Sequence, residues 1–447
     1  MVPPDPLAPQ PDPEHDARTV AAIARALRET PYYAQSPKPR PIAEPGTPLA
    51  DALRPIPLLF KQDLRTTLPK QWVPHGRDAK AELASGEIEL VETSGSTGER
   101  TRVLWDKGWW LRQEERAFAV NPMVARALAG EGRAYRETIL TTPVCGLGTC
   151  HTGELTFAER LDAHRLFLNM RPDPTFWQPA DMDRMLDEIE RHETVGLESD
   201  ATYLAFLARH AAREGRTLGV RGFVVLTYAF TSAAHVRAIR RAYKGPLLSL
   251  YGASEVGVLF MEAEDGRLDH CPFTTHVELL PIKVPTPGAK DVALVVATTL
   301  DRVVQPLVRF VVGDVVQVDR AGPKRWTSVP PLVSVEGRLQ DAVVRPDGAI
   351  ITAGAIDRAL APIEGIALYQ VNQRSKGLIE VDVVALPGAS VVTDAHDRLA
   401  PLCDGLELTV RTAAGIPAEP SGKFRVVRRQ YPVQLGKLFD GCDGVAA

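Results

Sequence analysis

Val91-Glu92-Thr93-Ser94-Gly95-Ser96-Thr97-Gly98-Glu99-Arg100-Thr101 is the most informative run in this chain. Seven of the nine residues from 93 to 101 are Thr, Ser or Gly. Such a loop offers unhindered backbone N–H groups and several hydroxyls, the donors that wrap a polyphosphate. Its glycines permit positive φ and a close approach that a bulkier residue would block. It is not the P-loop of the common nucleotide hydrolases, which needs Gly, four residues, then Gly-Lys-Ser/Thr. Here Gly95 and Gly98 are three apart, and Glu99 follows where a lysine should sit. Taken alone, the run could equally be a flexible surface turn.

Around it the chain reads as α/β. A β-like run at 88–91 leads into the loop, and 138–141, 223–226 and 247–250 are further strand candidates. Met182, Met185, Leu186 and Ile189 mark a helix face, and 232–243 reads as a helix with Val236, Ile239 and Ala242 inward. Strand, helix, strand in this order predicts parallel units with crossover helices. Earlier, Ala17, Val20, Ala21, Ala24 and Leu27 give a helical period that Thr30 and Pro31 end. Residues 1–13 are proline-rich and read as an extended tail, and 36–57 as a segment wrapped over the surface. After about 290 the pattern turns β-rich, with strands expected at 293–297 and 307–312. A last segment, beginning near Gly337, has strand candidates at 342–344 and 379–384 and a helix near 354–362. The expected boundary lies at 337–341.

Composition narrows the function classes. The 447 residues are 45% hydrophobic and 24% charged, ordinary for a globular protein. Lys plus Arg is 52 against 56 Asp plus Glu, a net charge of −4, which argues against nucleic-acid binding through bulk positive charge. No run of about 18 apolar residues occurs, so no membrane span is expected. The first 14 residues lack the basic and apolar regions of a signal peptide, and a cytoplasmic location is expected. Five cysteines, Cys145, Cys150, Cys271, Cys403 and Cys442, are odd in number and widely spaced. Free thiols fit better than disulfides. A zinc site from Cys145, Cys150, His151 and Cys271 is the alternative to buried thiols, and His270 and His276 beside Cys271 are expected to serve packing and hydrogen bonds.

The loop has company further along. Thr93-Ser94-Gly95-Ser96-Thr97-Gly98 resembles the phosphate-binding loop of the adenylate-forming superfamily, which includes acyl- and aryl-CoA ligases. Tyr251-Gly252-Ala253-Ser254-Glu255 is similar to its Tyr-Gly-x-Ser/Thr-Glu motif, and Phe310-Val311-Val312-Gly313-Asp314 to its ribose-holding segment. Gly337-Arg338-Leu339-Gln340-Asp341 resembles the hinge motif, and Pro420-Ser421-Gly422-Lys423-Phe424-Arg425 the C-terminal Ser-Gly-Lys segment. Thr30-Pro31-Tyr32-Tyr33 and Pro55-Ile56-Pro57-Leu58-Leu59-Phe60-Lys61-Gln62-Asp63-Leu64-Arg65 resemble the phenylacetate-CoA ligase branch. Five motifs in the family's order cover most of the chain.

The resemblance implies a large N-terminal domain, 1–337, with mixed, parallel-rich sheets and crossover helices, and a small mobile α+β domain, 338–447. It implies ATP, Mg²⁺ and a small-molecule acid. The acid would be adenylated with release of pyrophosphate, and a thiol would then displace AMP. Coenzyme A is the expected acceptor, with an amine or a carrier-protein thiol as alternatives. A non-catalytic nucleotide-binding scaffold is a further alternative, and a dimer is compatible. Lys423 would stabilise charge on the attacked phosphate, where it counts most. Thr93, Ser94, Gly95, Ser96, Thr97, Gly98, Tyr251, Ser254, Asp314 and Arg338 would bind ATP. Tyr251 would stack on adenine, Asp314 accept from the ribose, and Glu255 hold Mg²⁺ as a hard oxygen ligand. The acid pocket would be lined by Cys145, Leu147, Thr149, His151, Tyr228, Ala229, Phe230 and Ala253. Gln340 and Asp341 would be the hinge, with Gln340 standing where relatives of this branch often have a second aspartate. The glycine-broken 144–151 segment lacks the aromatic cluster of a phenyl pocket.

Overall fold

The computed structural model describes residues 14–35, 41–92, 101–131, 135–142, 153–325, 327–432 and 438–439. The period expected at 17–27 forms the helix His15–Glu29, burying Val20, Ile23, Ala24 and Leu27 and ending where Thr30 turns extended. His15 anchors it: Nδ1 lies 3.2 Å from the Pro272 carbonyl and Nε2 3.3 Å from Nδ1 of His276. His270 meets the Thr327 hydroxyl at 3.0 Å, so both downstream histidines hold structure together.

The segment expected to wrap over the surface behaves differently from residue 41 on. It forms the helix Leu49–Leu53, and Ala52, Leu53, Ile56 and Leu59 enter the main core. Its prolines break the chain into short turns, so the inward side chains have no common period to read.

An antiparallel hairpin, β1 (Ile88–Glu92) and β2 (Arg102–Asp106), flanks the phosphate-type loop. Residues 93–100 themselves lie outside the described residues. Among the described residues twelve strands join one sheet. Its parallel part comprises β3 (Glu137–Leu140), β5 (Arg165–Phe167), β6 (Gly196–Asp200), β7 (Phe223–Thr227) and β8 (Leu247–Ala253), with β4 (Leu161–Asp162) antiparallel at the edge. Beyond β8 the sheet turns antiparallel through β9 (Gly257–Glu262), β10 (Leu268–His270), β14 (Leu332–Arg338), β13 (Phe310–Val318), β12 (Val292–Thr299) and β11 (Thr275–Pro281). The strand expected from 307 starts only at Phe310. Arg309 takes φ +53 and donates to the Ile56 carbonyl at 2.7 Å, which breaks the extension there.

Helices Ala201–Arg213 and Ala233–Ala242 make the crossovers β6–β7–β8. Asp200 and Ser232 cap them by accepting from Thr202 N–H at 2.8 Å and His235 N–H at 3.3 Å. Val236, expected inward, is half-buried. His235 and Ala238 take the inward stripe with Ile239 and Ala242. These helices and Pro179–Arg191 cover one face of the parallel strands through Leu186, Leu197, Leu204, Val224 and Ile239. Helix Trp109–Val120 covers the other, packing Ala117 and Phe118 near Phe223 and Val225.

The chain leaves the large sheet at Arg338 and makes one 3₁₀ turn, Leu339–Asp341. A two-strand pair, β15 (Val343–Val344) and β16 (Ile350–Ile351), follows. Then β17 (Ile366–Ser375), β18 (Leu378–Ala385), β19 (Glu407–Thr412) and β20 (Val427–Arg429) form a separate sheet in the order β19-β18-β17-β20. Its own core gathers Ile356, Leu360, Val371, Val381, Val383 and Leu399 beneath helices Ala353–Leu360 and Val392–Leu399. The fold is therefore a large mixed α/β body with a small α+β one. Among the described residues no helix is long and apolar enough to cross a membrane.

Thr352 caps helix Ala353–Leu360, accepting from Ala355 N–H at 3.1 Å while its hydroxyl donates to the buried Glu336. Thr352→Ala removes both bonds and is expected to cost about 1–2 kcal/mol, read as a lower urea midpoint with unchanged slope. A midpoint shift within error would deny the cap any role.

Candidate functional site

Ligands of open α/β sheets bind beyond the carboxyl ends of the parallel strands. At the end of β8 stand Tyr251 and, just past it, Glu255. Tyr251 is 8% exposed, has one ring face toward Phe260, and donates its hydroxyl to Asp314 Oδ2 at 3.0 Å. Asp314 on β13 is directly opposite Arg338 on β14, whose Nε lies 3.8 Å from Asp314 Oδ1. One sheet register thus brings three expected nucleotide ligands together. Burial raises the Asp314 pKa against the pull of Arg338 and Lys61. Ser254 is half-buried, and its carbonyl accepts from Trp105 Nε1 at 2.9 Å, tying the strand end to the β1–β2 hairpin.

Glu255 is buried, yet its pKa is lowered. Burial pushes it up, and the Lys61 ammonium, with Nζ 3.0 Å from Oε1, pulls it further down. Lys61 opens helix Lys61–Thr67, and its approach to Glu255 was not legible in the sequence. The only signal was its place in the Phe60-Lys61-Gln62-Asp63 run. A buried carboxylate whose pKa is held low offers the ionised, hard oxygen ligand that a divalent ion takes together with phosphate oxygens.

Lys423 arrives from the small body. The turn 419–423 is closed by Gly422 N–H to Glu419 O at 2.7 Å and Glu419 N–H to Lys423 O at 2.8 Å. It docks on the parallel sheet: Thr142 Oγ1 donates to Ser421 O at 2.9 Å and Tyr203 OH to Gly422 O at 2.8 Å. Phe424 and Ile416 are buried in the core of the large body. Lys423 Nζ donates to the Tyr228 carbonyl at 2.8 Å. Its pKa is lowered to about 8, by burial first and then by Arg338, against Asp200, Glu255 and Asp314. The lysine therefore feels the same charged groups that surround the expected nucleotide.

The remaining expected residues divide. Tyr228 and Ala229 lie half-buried just beyond β7, and Ala253 packs beside Tyr251. Phe230 packs instead against the core of the small body, beside Ala234 and across from β17, because the β7–helix loop is where the two bodies meet. Asp341 binds Arg425 in an ion pair, and Gln340 offers its carbonyl to Arg429 at 2.9 Å. Cys145, Leu147, Thr149, His151 and Cys150 lie outside the described residues, as do residues 93–98. Cys271 is buried among Val258, Leu250 and Met261, and burial pushes its thiol up to about 12, which makes it a packing residue.

Neither a protein-family model nor the sequence of a curated protein matches the chain. Solved structures match its fold. The chain is similar to 2-hydroxyisobutyryl-CoA ligase in the postadenylation state with 2-HIB-AMP, at a TM-score of 0.66 and 17% identity, covering 96% of this chain and 94% of that one. The same ligase with 2-HIB-AMP and CoA gives 0.55 in an open conformation, at 17% identity and 96% of each chain. In the thioesterification state it gives 0.51, at 18% identity, 95% of this chain and 92% of that one. The anthranilate CoA ligase AuaEII with anthranoyl-AMP gives 0.51, at 13% identity, 75% of this chain and 65% of that one. The fold is that of these CoA ligases. The first three comparisons involve one protein in different states, so their spread reflects how its parts are arranged. Of the three, the postadenylation arrangement is the most similar to this chain.

Proposed function

We propose that the chain is an ATP-dependent, AMP-forming acid ligase, with residues 1–337 binding ATP and acid and residues 338–447 carrying Lys423. One observation carries the reading: a lysine from the small body is held on the Tyr228 carbonyl at 2.8 Å, beyond the carboxyl end of β7, where it feels the charges of Arg338, Asp200, Glu255 and Asp314. In the first step a carboxylate oxygen attacks the α-phosphorus of ATP, a P–O bond forms, and pyrophosphate leaves. The transition state concentrates negative charge on the α-phosphate oxygens. Lys423, held as an ammonium by the surrounding carboxylates, supplies a fixed positive group there. Asp314 accepts from the ribose hydroxyls, and Arg338 orients that carboxylate. Residues 93–98 donate to the phosphates. Glu255 would hold Mg²⁺, which neutralises phosphate charge when bound. In the second step a thiol attacks the acyl carbonyl and AMP leaves. Coenzyme A is the acceptor we favour, since the ligases of similar fold use it. Gln340 and Asp341, in the turn Leu339–Asp341 between the two sheets, would be the hinge between steps.

The test is exchange of labelled pyrophosphate into ATP over a broad panel of acids, with product analysis. Exchange with at least one acid, and AMP as the product once a thiol is added, is the expected result. ADP release would overturn the assignment. ATP binding with no exchange for any acid would favour the scaffold reading. Parallel reactions with coenzyme A and with amines then separate the acceptors.

A further inference from the structure

A second group of ionisable side chains lies beneath the site, between the parallel strands and helix Trp109–Val120. Glu198 on β6 is opposite Ile139 of β3 and Val225 of β7. It therefore shares a face with Glu137 and Asp200, the side that helix Trp109–Val120 covers. That helix brings in Glu114, which is buried and accepts from Trp110 Nε1. Arg165 of β5 donates to Glu137 Oε2 at 2.7 Å and stands 3.7 Å from Glu114 Oε2. Tyr135 OH donates to Glu137 Oε1 at 3.4 Å. Three carboxyls thus face one guanidinium.

Their positions are not equivalent. Glu137 has the guanidinium. Glu114 has its pKa raised well above the usual carboxylate range, by burial first and then by Glu198. Glu198 is 2% exposed, and among the described residues the Tyr228 phenol is the one donor beside its oxygens. A buried carboxylate with a phenol beside it but no ion-pair partner is costly to ionise, and its natural complement is a cation. Burial and Glu137 push Glu198 up to about 7, so a modest stabilising contact is enough to hold it charged at neutral pH.

The route from the reaction centre to Glu198 is short. Tyr228 adopts φ +70, rare for a residue with a side chain. This turns its carbonyl to Lys423 Nζ while its phenol reaches Glu198. Asp200, which acts on Lys423, is two residues further along β6, so Glu198 lies about 6–7 Å deeper. An acid whose carboxylate meets Lys423 would place its far end there.

We propose that Glu198 receives an amino group on the acid, so that the substrates are short acids carrying a protonated amino group set apart from the carboxylate. This rests on the acid-ligase reading above. The cluster then holds one ammonium for the carboxylate that has no ion-pair partner among the described residues, with the Tyr228 phenol beside it.

The test uses matched pairs in which a methyl group replaces the ammonium: β-alanine and butyrate, γ-aminobutyrate and pentanoate, para-(aminomethyl)benzoate and para-ethylbenzoate. Pyrophosphate exchange with the wild-type chain is expected to favour an amino member by at least about tenfold in kcat/KM. In Glu198→Gln that ratio is expected to fall by at least about tenfold, with the melting temperature checked in parallel. The wild-type comparison stands even if the variant misfolds. Exchange supported by uncharged acids alone, or equal rates within every pair, overturns the proposal and leaves the ligase reading in place. A ratio unchanged in Glu198→Gln also overturns it. No exchange with any acid removes the ligase reading, and this proposal with it.

Discussion

Lys423→Ala is expected to lower acid-dependent pyrophosphate exchange by about 10²–10³-fold while leaving the melting temperature and ATP affinity nearly unchanged. Among the described residues the side chain makes one hydrogen bond, to the Tyr228 carbonyl, so its loss removes little from the fold. Docking of the turn rests on the backbone of Ser421 and Gly422 and on buried Phe424, all of which survive the substitution. On the proposed reading, what disappears is a positive group at the place where charge grows on phosphorus. An interaction stronger in the transition state than in the ground state changes kcat rather than binding. Exchange retained within about threefold would show that Lys423 is not near the reacting phosphate.

The pH dependence follows from the same residue. Burial and Arg338 lower the Lys423 pKa to about 8, while Asp200, Glu255 and Asp314 hold the ammonium in place. A lysine with a lowered pKa is charged below that value and neutral above it. Exchange by the free enzyme is therefore expected to decline as pH rises through about 8 rather than above 10. Saturating ATP adds phosphate charge beside the ammonium and shifts the decline upward.

The sequence made some of this site legible and hid the rest for physical reasons. Tyr251, Glu255, Asp314 and Arg338 were readable because each lies in a short run whose backbone form matters. The strand register then brings Asp314 and Arg338 face to face. Lys61 stands in a run that reads as family context and not as a site residue, since nothing local says that the first residue of a helix will meet a strand end far along the chain. Glu198 was missed because Gly196-Leu197-Glu198-Ser199-Asp200 does not read as a buried strand: acids alternate where apolar residues are expected. That alternation was the available signal, because residues 198 and 200 share one face. Phe230 was read as pocket lining on grounds of sequence proximity, yet it packs into the small body's core. The helix Leu49–Leu53 was hidden by prolines that leave no period to find.

Gly422→Ala should separate the two half-reactions. Gly422 has φ +78, where a side chain costs about 1–2 kcal/mol. A Cβ there would also overlap the Thr142 hydroxyl and come within 2.7 Å of Thr142 Cβ and 2.8 Å of the Tyr203 hydroxyl. Both neighbours belong to the large body, so the clash is between the bodies and not within either fold. The turn carrying Lys423 must lift away, and a displacement of about 1 Å at a reacting centre costs on the order of 10²-fold. Pyrophosphate exchange is therefore expected to fall by about that factor. On the proposed reading, transfer from a supplied acyl-adenylate to coenzyme A uses the small body turned elsewhere, so it should keep most of its rate. Normal exchange in this variant would mean that the docked arrangement is not the adenylating one. An equal loss in both steps would mean that the Thr142–Gly422–Tyr203 contact serves folding and not the first step alone.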